Sequence, residues 1–316
     1  MKIFIAMILL ISSLLCVSIE APSAKFVSSG AVFDIVIKDN KLYSATGAGC
    51  VDIFDMSSKE IVQKIVLEQI TDFMGDVINS KVYSVDILND KILILSQAKK
   101  GARRVHIFKE NKLELLIPYT QNLFIAKAKF IDENTILLGL LSNELISYNI
   151  RNKTQNWSLQ ISQSKFSDFV LNEEKTQVVV ADESGDLKIH DTKDGSFIKK
   201  LSGENLDNVF QVDYKNGTIA TAGQDRKMVL YNYKTASAYS EMASFLIYSV
   251  GLSPSAALVA FASDENNNVT LLDTQTKEVV GVFGGNKMTL TNILFFNEKE
   301  FLVSSDDAVI NLYTIK

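Results

Sequence analysis

Side chains that commonly perform catalysis are sparse in this chain of 316 residues, which contains two histidines and two cysteines. A nucleophilic triad requires a histidine beside both a serine and a carboxylate, and only His106 and His190 are available. The chain repeats a segment of about 41 residues, and His190 stands at a position where most copies carry Phe or Tyr. His106 stands at another position of the repeat, which the other copies fill with varied residues. We therefore predict that both histidines have packing roles and that the chain is not an enzyme.

Metal and cofactor sites are equally hard to build from these residues. Zinc sites need several converging His, Cys or carboxylate ligands, whereas Cys50 is more consistent with a small packed hydrophobe. The acidic stretches 182–186 and 264–268 have the composition of hairpin turns rather than of calcium loops. The Gly-Ala-Gly stretch 47–49 is also predicted to be a hairpin turn, not a phosphate loop. A single tryptophan, Trp157, argues against a quinone-dependent propeller dehydrogenase. We predict no metal and no cofactor.

The elements that would position any site are repeats of about 41 residues. Each repeat contains an alternating apolar stretch that ends near an aromatic residue followed, in most copies, by Asp or Asn. Seven copies occur, and they end at Asp55, Lys109, Asn149, Asp191, Asn232, Asp273 and Thr314. A strand-rich repeat of 40–45 residues is typical of β-propeller blades.

Within each repeat, three or four short strands are separated by polar turns. The fourth repeat, for example, predicts strands at 166–171, 177–181, 187–190 and 196–201. The seventh supplies only three strands, while a spare strand at 25–28 precedes the first repeat. We predict an all-β, seven-bladed propeller in which this N-terminal strand completes the last blade and removes two exposed sheet edges.

The repeats resemble the WD40 family over Lys25 to Lys316. The tryptophan position of that family is filled here by Phe54, Phe108, Tyr148, His190, Tyr231, Leu272 and Tyr313. The Gly-His dipeptide of the family is absent, so its internal His–Asp–Ser hydrogen-bond set is not expected in standard form. Segments 43–46, 51–55, 72–76 and 83–86 also resemble an accessory propeller family that is encoded with some bacterial periplasmic nitrate reductases.

The first 18 residues match a secretory signal peptide, because Lys2 precedes an apolar run at 3–17 that is short for a membrane span. We expect cleavage near Ser18, a periplasmic location, and a mature propeller over 19–316. No second segment is apolar enough to predict a stable membrane span. The net charge of −5 argues against nucleic acid as a partner. We expect a monomer.

Two insertions depart from the repeat, and insertions in repeat proteins often lie on the working face. The stretch 68–80 contains Phe73 and Met74, which either pin the insertion to the ring or form exposed anchors. The stretch 97–104 places four positive charges in eight positions: Lys99, Lys100, Arg103 and Arg104. These six residues are the predicted partner-binding site, alongside the simpler interpretation of the basic stretch as a solvated loop.

The sequence therefore predicts a protein-binding accessory or scaffold without chemistry of its own. The resemblance to the nitrate reductase accessory propellers implies help with maturation or electron supply of that enzyme, whose subunits would be the partners. One alternative is a general cell-envelope assembly scaffold. Another is an enzyme or small-ligand binder that uses the central channel of the propeller.

Overall fold

Seven antiparallel sheets form a closed ring in the computed structural model, which describes residues 18–316. The signal peptide prediction falls almost entirely on residues outside this range. Each blade's innermost strand contacts the innermost strands of both neighbouring blades, and blade 7 contacts blade 1. The prediction of an all-β, seven-bladed propeller is therefore confirmed.

Most blades consist of four consecutive strands, numbered here from the channel outward. The strands are Val32–Lys38, Lys41–Thr46, Cys50–Asp55 and Ile61–Val66 in blade 1; Val82–Leu88, Lys91–Gln97, Arg103–Lys109 and Lys112–Ile117 in blade 2; Ile125–Asp132, Thr135–Leu140, Glu144–Asn149 and Thr154–Gln160 in blade 3; Phe166–Leu171, Gln177–Asp182, Leu187–Asp191 and Phe197–Leu201 in blade 4; Val209–Lys215, Thr218–Gly223, Lys227–Asn232 and Ala238–Met242 in blade 5; Val250–Leu252, Leu258–Ala262, Val269–Asp273 and Val279–Phe283 in blade 6; and Leu290–Asn297, Glu300–Ser305 and Val309–Thr314 in blade 7.

The N-terminal strand Ala24–Val27 completes blade 7 by pairing antiparallel with Val309–Thr314. Phe26 is fully buried there and meets Phe54 of blade 1 edge to face, with ring centroids 5.5 Å apart. The predicted closure of the ring is confirmed. A second contact was not predicted: Ile19–Glu20 adds a short parallel fifth strand to blade 6.

The aromatic position of the repeat fills the space between sheets. Phe54, Tyr148, Tyr231 and Tyr313 are each at most 2% exposed. Alternation with period two directs these side chains and their apolar neighbours to the faces of each sheet. Burial of a large apolar side chain contributes roughly 1.5–3 kcal/mol, so repetition around the ring stabilises the range 18–316, in which Cys50 is a free thiol.

The Asp or Asn that follows the aromatic residue shapes the turn between the third and fourth strands. The Oδ1 atom of Asp273 accepts hydrogen bonds from the backbone N–H groups of Gln275 and Thr276, both at 2.8 Å. Asp55, Asn149, Asp191 and Asn232 make equivalent bonds in their blades. This side-chain-to-backbone turn explains the recurrence of Asp and Asn at the ends of the repeats.

An asparagine, Asn205, supplies side-chain hydrogen bonds within blade 5. The Thr221 hydroxyl donates to Asn205 Oδ1 at 2.6 Å, and Asn205 Nδ2 donates to Asp225 Oδ1 at 3.2 Å. An amide side chain can do this because it carries both a donor and an acceptor. The blade is thus tied internally without the standard His–Asp–Ser set.

Candidate functional site

The propeller has two faces with different connections. Since each innermost strand receives the chain from the previous blade, the interblade connections and the second-to-third-strand turns share one face, here called the upper face. The first-to-second-strand and third-to-fourth-strand turns form the lower face. Both predicted insertions, 68–80 and 97–104, belong to the upper face.

Exposed large apolar side chains separate sharply between these faces. Nine lie on the upper face: Phe73, Met74, Val77, Tyr119, Phe124, Leu141, Leu206, Phe245 and Met288. Within residues 18–316, the lower turns carry none, although Phe197 and Phe296 are exposed at the strand ends beside them. Clustered exposed apolar side chains mark interaction sites in soluble proteins, and three of the nine, Phe73, Met74 and Val77, belong to one hairpin. The upper face is therefore the candidate partner-binding face.

The first insertion forms a small hairpin on that face. Its strands are Ile70–Thr71 and Val77–Ile78, and Asp72 Oδ1 accepts hydrogen bonds from the N–H groups of Met74 and Asp76 at 2.8 and 3.0 Å. Ile70 is buried and holds the base of the hairpin. Phe73 and Met74 at the tip are 87% and 72% exposed. Ile70, not the tip, pins the insertion to the ring.

Arg104 joins the second insertion to the base of the first. Its Nη2 donates to the backbone oxygen of Glu68 at 2.6 Å and to Ser80 Oγ at 3.3 Å. The Arg104 side chain is only 12% exposed, and burial lowers its pKa, partly offset by the nearby Glu68 carboxylate. The structure places this predicted docking residue inside the scaffold, where it positions the hairpin.

The other three basic residues also differ in environment. The second strand of blade 2 runs to Gln97 and the third begins at Arg103, so the insertion is shorter than predicted and contains a 3₁₀ turn at Lys99–Gly101. Lys99 and Lys100 are exposed on this turn. The Arg103 guanidinium stacks over Tyr83, 4.0 Å from the ring centroid, and donates to the Gly101 oxygen at 2.7 Å. Only two of the four charges are presented freely to solvent.

The two insertions face each other across a cavity of about 390 Å³. Ile70 and Phe73 line one side, and Ala98 and Lys100 line the other. Asp72 lines it as well, so the cavity combines apolar walls with one cation and one anion. An aromatic or aliphatic side chain of a partner could enter it beside an acidic group.

Charged side chains along the channel bond to one another. Lys129 of blade 3 reaches Asp34 of blade 1 at 3.1 Å, and Lys127 reaches Asp168 of blade 4 at 2.6 Å. Asp34 and Asp168 also accept backbone N–H groups of the following blades. These groups tie neighbouring blades together, as buried charges must be paired to be tolerated.

The two histidines are buried in different blades. Burial lowers the pKa of His106 to about 4, and the nearby Arg104 guanidinium adds to the shift. His190 Nδ1 lies 3.0 Å from the Gly195 oxygen in a lower turn, and burial lowers its pKa as well. Cys50 is buried too, and burial raises the pKa of its thiol. The structure places all three side chains in the packed scaffold.

Two further observations concern residues 18–316. No group of three or more His, Cys, Asp or Glu side chains converges there in a way that could hold a metal ion. No helix in this range is both long and apolar enough to cross a membrane.

Part of the upper face was not foreseen from the sequence. Val77 and Leu206 are 67% and 75% exposed, yet neither was singled out as a binding residue. The available signal was an apolar residue inside a polar interblade connection, where neither strand alternation nor burial accounts for it.

Comparisons with known proteins bear on the fold alone. No family model matches the chain, and no curated protein matches it. Among solved structures, one titled as the computationally designed Ika8 protein aligns with a TM-score of 0.67 and 14% sequence identity, covering 93% of this chain and 99% of the designed chain. A likeness at this identity carries no functional information. Together with the strand topology, it shows that the chain folds as a seven-bladed β-propeller.

Proposed function

We propose that this chain is a non-catalytic protein-binding scaffold whose upper face, centred on the hairpin at 70–78, docks a partner protein. The observation that carries the proposal is the exposure of Phe73 and Met74 at the tip of an anchored hairpin. Large apolar side chains on an ordered support are the typical centres of protein interfaces. Propellers are also widely used as interaction scaffolds.

The preferred partner surface is apolar with an acidic rim. Lys99 and Lys100 stand on the turn beside the hairpin, and Lys100 lines the cavity that Phe73 borders. Charges at the rim of an interface mainly raise the association rate, whereas the apolar centre determines the lifetime of the complex. The hairpin tip and the two lysines are therefore expected to play separable parts.

The finer proposal is an accessory role in the periplasm beside a nitrate reductase, like that of NapL. It rests on the signal-peptide pattern of residues 1–18 and on the resemblance of the segments 43–46, 51–55, 72–76 and 83–86. Segment 72–76 is the hairpin tip, so the strongest structural candidate and the sequence resemblance coincide there. In this role the protein assists maturation or electron supply and does not itself reduce nitrate.

Site-specific photo-crosslinking in native cells respiring nitrate tests both docking by the hairpin and the identity of the partner. A photoreactive phenylalanine analogue replaces Phe73 in one strain and the exposed lower-turn residue Lys193 in another. We expect a discrete adduct from position 73, and mass spectrometry identifies nitrate reductase subunits in it. Adducts with outer-membrane assembly factors would instead support the envelope scaffold. Equal adducts from both positions, or none from position 73, would contradict docking by the hairpin.

Substitutions should avoid Arg104, because its loss would disturb the hairpin rather than the contact itself. Phe73→Ser with Met74→Ser removes the tip, and Lys99→Ser with Lys100→Ser removes the exposed charges. Leu206→Ser is the matched control, since it removes an equally exposed apolar side chain from another upper-face connection. Loss of capture by the tip variant alone would support the hairpin as the centre of the interface.

A further inference from the structure

We propose a second binding site, independent of the upper face, in the groove between blades 2 and 3. Its ligand is a small amphipathic anion, namely an apolar chain that ends in one carboxylate. The groove has a volume of about 260 Å³ and lies near the lower face. Ile107 and Leu116 of blade 2 and Ile150 of blade 3 contribute apolar lining, and Leu115 is 47% exposed beside them.

Lysines surround this apolar lining. Four line the groove: Lys91, Lys109, Lys112 and Lys153. Glu110 and Glu114 also line it, and Asp90 pairs with Lys109 beside it, so four cations stand against three anions. An apolar cleft with excess positive charge at its edge complements a chain that carries a single negative end.

Two of these lysines have no partner that would compete with a ligand. Lys109 is paired with Asp90 at 3.2 Å and with Glu110 at 3.7 Å, and Lys91 donates to the Glu133 backbone oxygen at 2.8 Å. In contrast, the ammonium groups of Lys112 and Lys153 form neither an ion pair nor a hydrogen bond with any residue of the range 18–316. They are therefore the groups assigned to the ligand carboxylate.

The equivalent groove between blades 5 and 6 shows that this arrangement is not a general property of the fold. There Thr218 and Asn232 occupy the positions of Lys91 and Lys109, and Thr274 occupies that of Ile150. The remaining lysine, Lys277, is turned inward over the Tyr239 ring at 4.7 Å. The second groove keeps apolar lining from Leu230, Ala256 and Ala257, but it lacks the free cations.

The volume sets the size of the ligand. A groove of about 260 Å³ is smaller than the roughly 300–1,000 Å³ pockets that hold drug-sized ligands, so it suits a short-chain ligand. Octanoate is such a ligand and combines the required chain with one carboxylate. For so small a ligand at an open groove, a dissociation constant on the order of 1 mM is expected.

Titration calorimetry of the folded chain with sodium octanoate tests the proposal. We expect saturable binding of one octanoate, weaker binding of octanol, which lacks the charge, and no binding of acetate, which lacks the chain. Lys112→Glu with Lys153→Glu should weaken octanoate binding by about tenfold, because two exposed attractive charges become repulsive. Octanol binding should change little.

Lys234→Glu is the matched control, since it reverses an exposed lysine in the corresponding lower turn of blade 5. This variant should bind octanoate like the unmodified chain. Absence of octanoate binding by the unmodified chain would overturn the proposal. So would equal affinity of the unmodified chain and the double variant, or equal weakening by Lys234→Glu. None of these outcomes depends on the upper face, so this site and the proposed docking function fail separately.

Discussion

The upper and lower faces of this propeller are built from the same repeat but by different means. The lower turns are short and polar, and their Asp and Asn side chains bond to nearby backbone N–H groups. The upper face contains the longer connections and nearly all of the departures from the repeat. Its hairpin is held from a distance, by Arg104 of blade 2 donating to Glu68 in the connection from blade 1.

This difference separates what the fold requires from what the chain adds to it. A lower turn needs only a side chain that completes its own hydrogen bonds. The upper hairpin needs buried groups from two blades and leaves Phe73 and Met74 exposed, which does nothing for folding stability. Features that the ring does not require, and that are nevertheless well anchored, are the best candidates for function.

The largest expected effect concerns binding through the hairpin tip. Phe73→Ser together with Met74→Ser should weaken affinity for the protein captured at position 73 by at least about 100-fold, because interface anchors contribute 2 kcal/mol or more each. The free energy of unfolding should change by less than about 0.5 kcal/mol. Surface plasmon resonance and urea denaturation measure the two quantities. Comparable loss of affinity in Leu206→Ser would mean that the whole upper face, not the hairpin, forms the contact.

Lowering the pH should destabilise the folded chain through His106, which is buried in the third strand of blade 2. Its pKa of about 4 in the folded chain is below the ordinary value of 6.5, so protonation favours unfolding. The stabilising contribution is complete above pH 6.5 and is lost as the pH falls from 6.5 to 4, with a total of up to about 3 kcal/mol. In urea unfolding across this range, His106→Leu should lose that part of the pH dependence. An unchanged pH profile would contradict a buried neutral histidine.

Removing the long-range anchor should affect the upper face selectively. Arg104→Ala breaks hydrogen bonds to the Glu68 oxygen and Ser80, at a cost of about 2 kcal/mol in unfolding free energy. Amide hydrogen exchange should accelerate in the hairpin at 70–78 and stay unchanged in the lower turn at 274–278. Lys100→Ala, an exposed neighbour, should change stability by less than about 0.5 kcal/mol. Equal effects of the two variants would show that Arg104 is not an anchor.

The smallest effect is expected in the lower turns. Asp273→Ala removes an acceptor for two backbone N–H groups and should cost about 1 kcal/mol in thermal or urea unfolding. Binding through the hairpin should remain unchanged. If this substitution weakened partner capture as strongly as the tip variant, the functional separation of the two faces would be wrong.

The architecture was accessible from sequence because its signals are local and repeated. Alternation within each strand and turn residues at a fixed spacing predict the blades, including the completion of blade 7 by the N-terminal strand. The site was less accessible. The hairpin strands Ile70–Thr71 and Val77–Ile78 are too short to show a period, and the inward orientation of Arg104 depends on a carbonyl group 36 residues away. The Ile19–Glu20 strand depends on a neighbour at the far end of the chain.

Completion of blade 7 by Ala24–Val27 has a consequence for biosynthesis. The Ser23 hydroxyl donates a hydrogen bond to the backbone oxygen of Leu312, 289 residues later. The N-terminal strand therefore cannot pair with blade 7 until the segment around Leu312 has been synthesised. At translation rates of 5–20 residues per second, this interval lasts about 15–60 s. Until the two segments meet, Phe26 and the outer edge of the incomplete ring stay uncovered. The chain therefore needs chaperone protection until Ala24–Val27 pairs with Val309–Thr314.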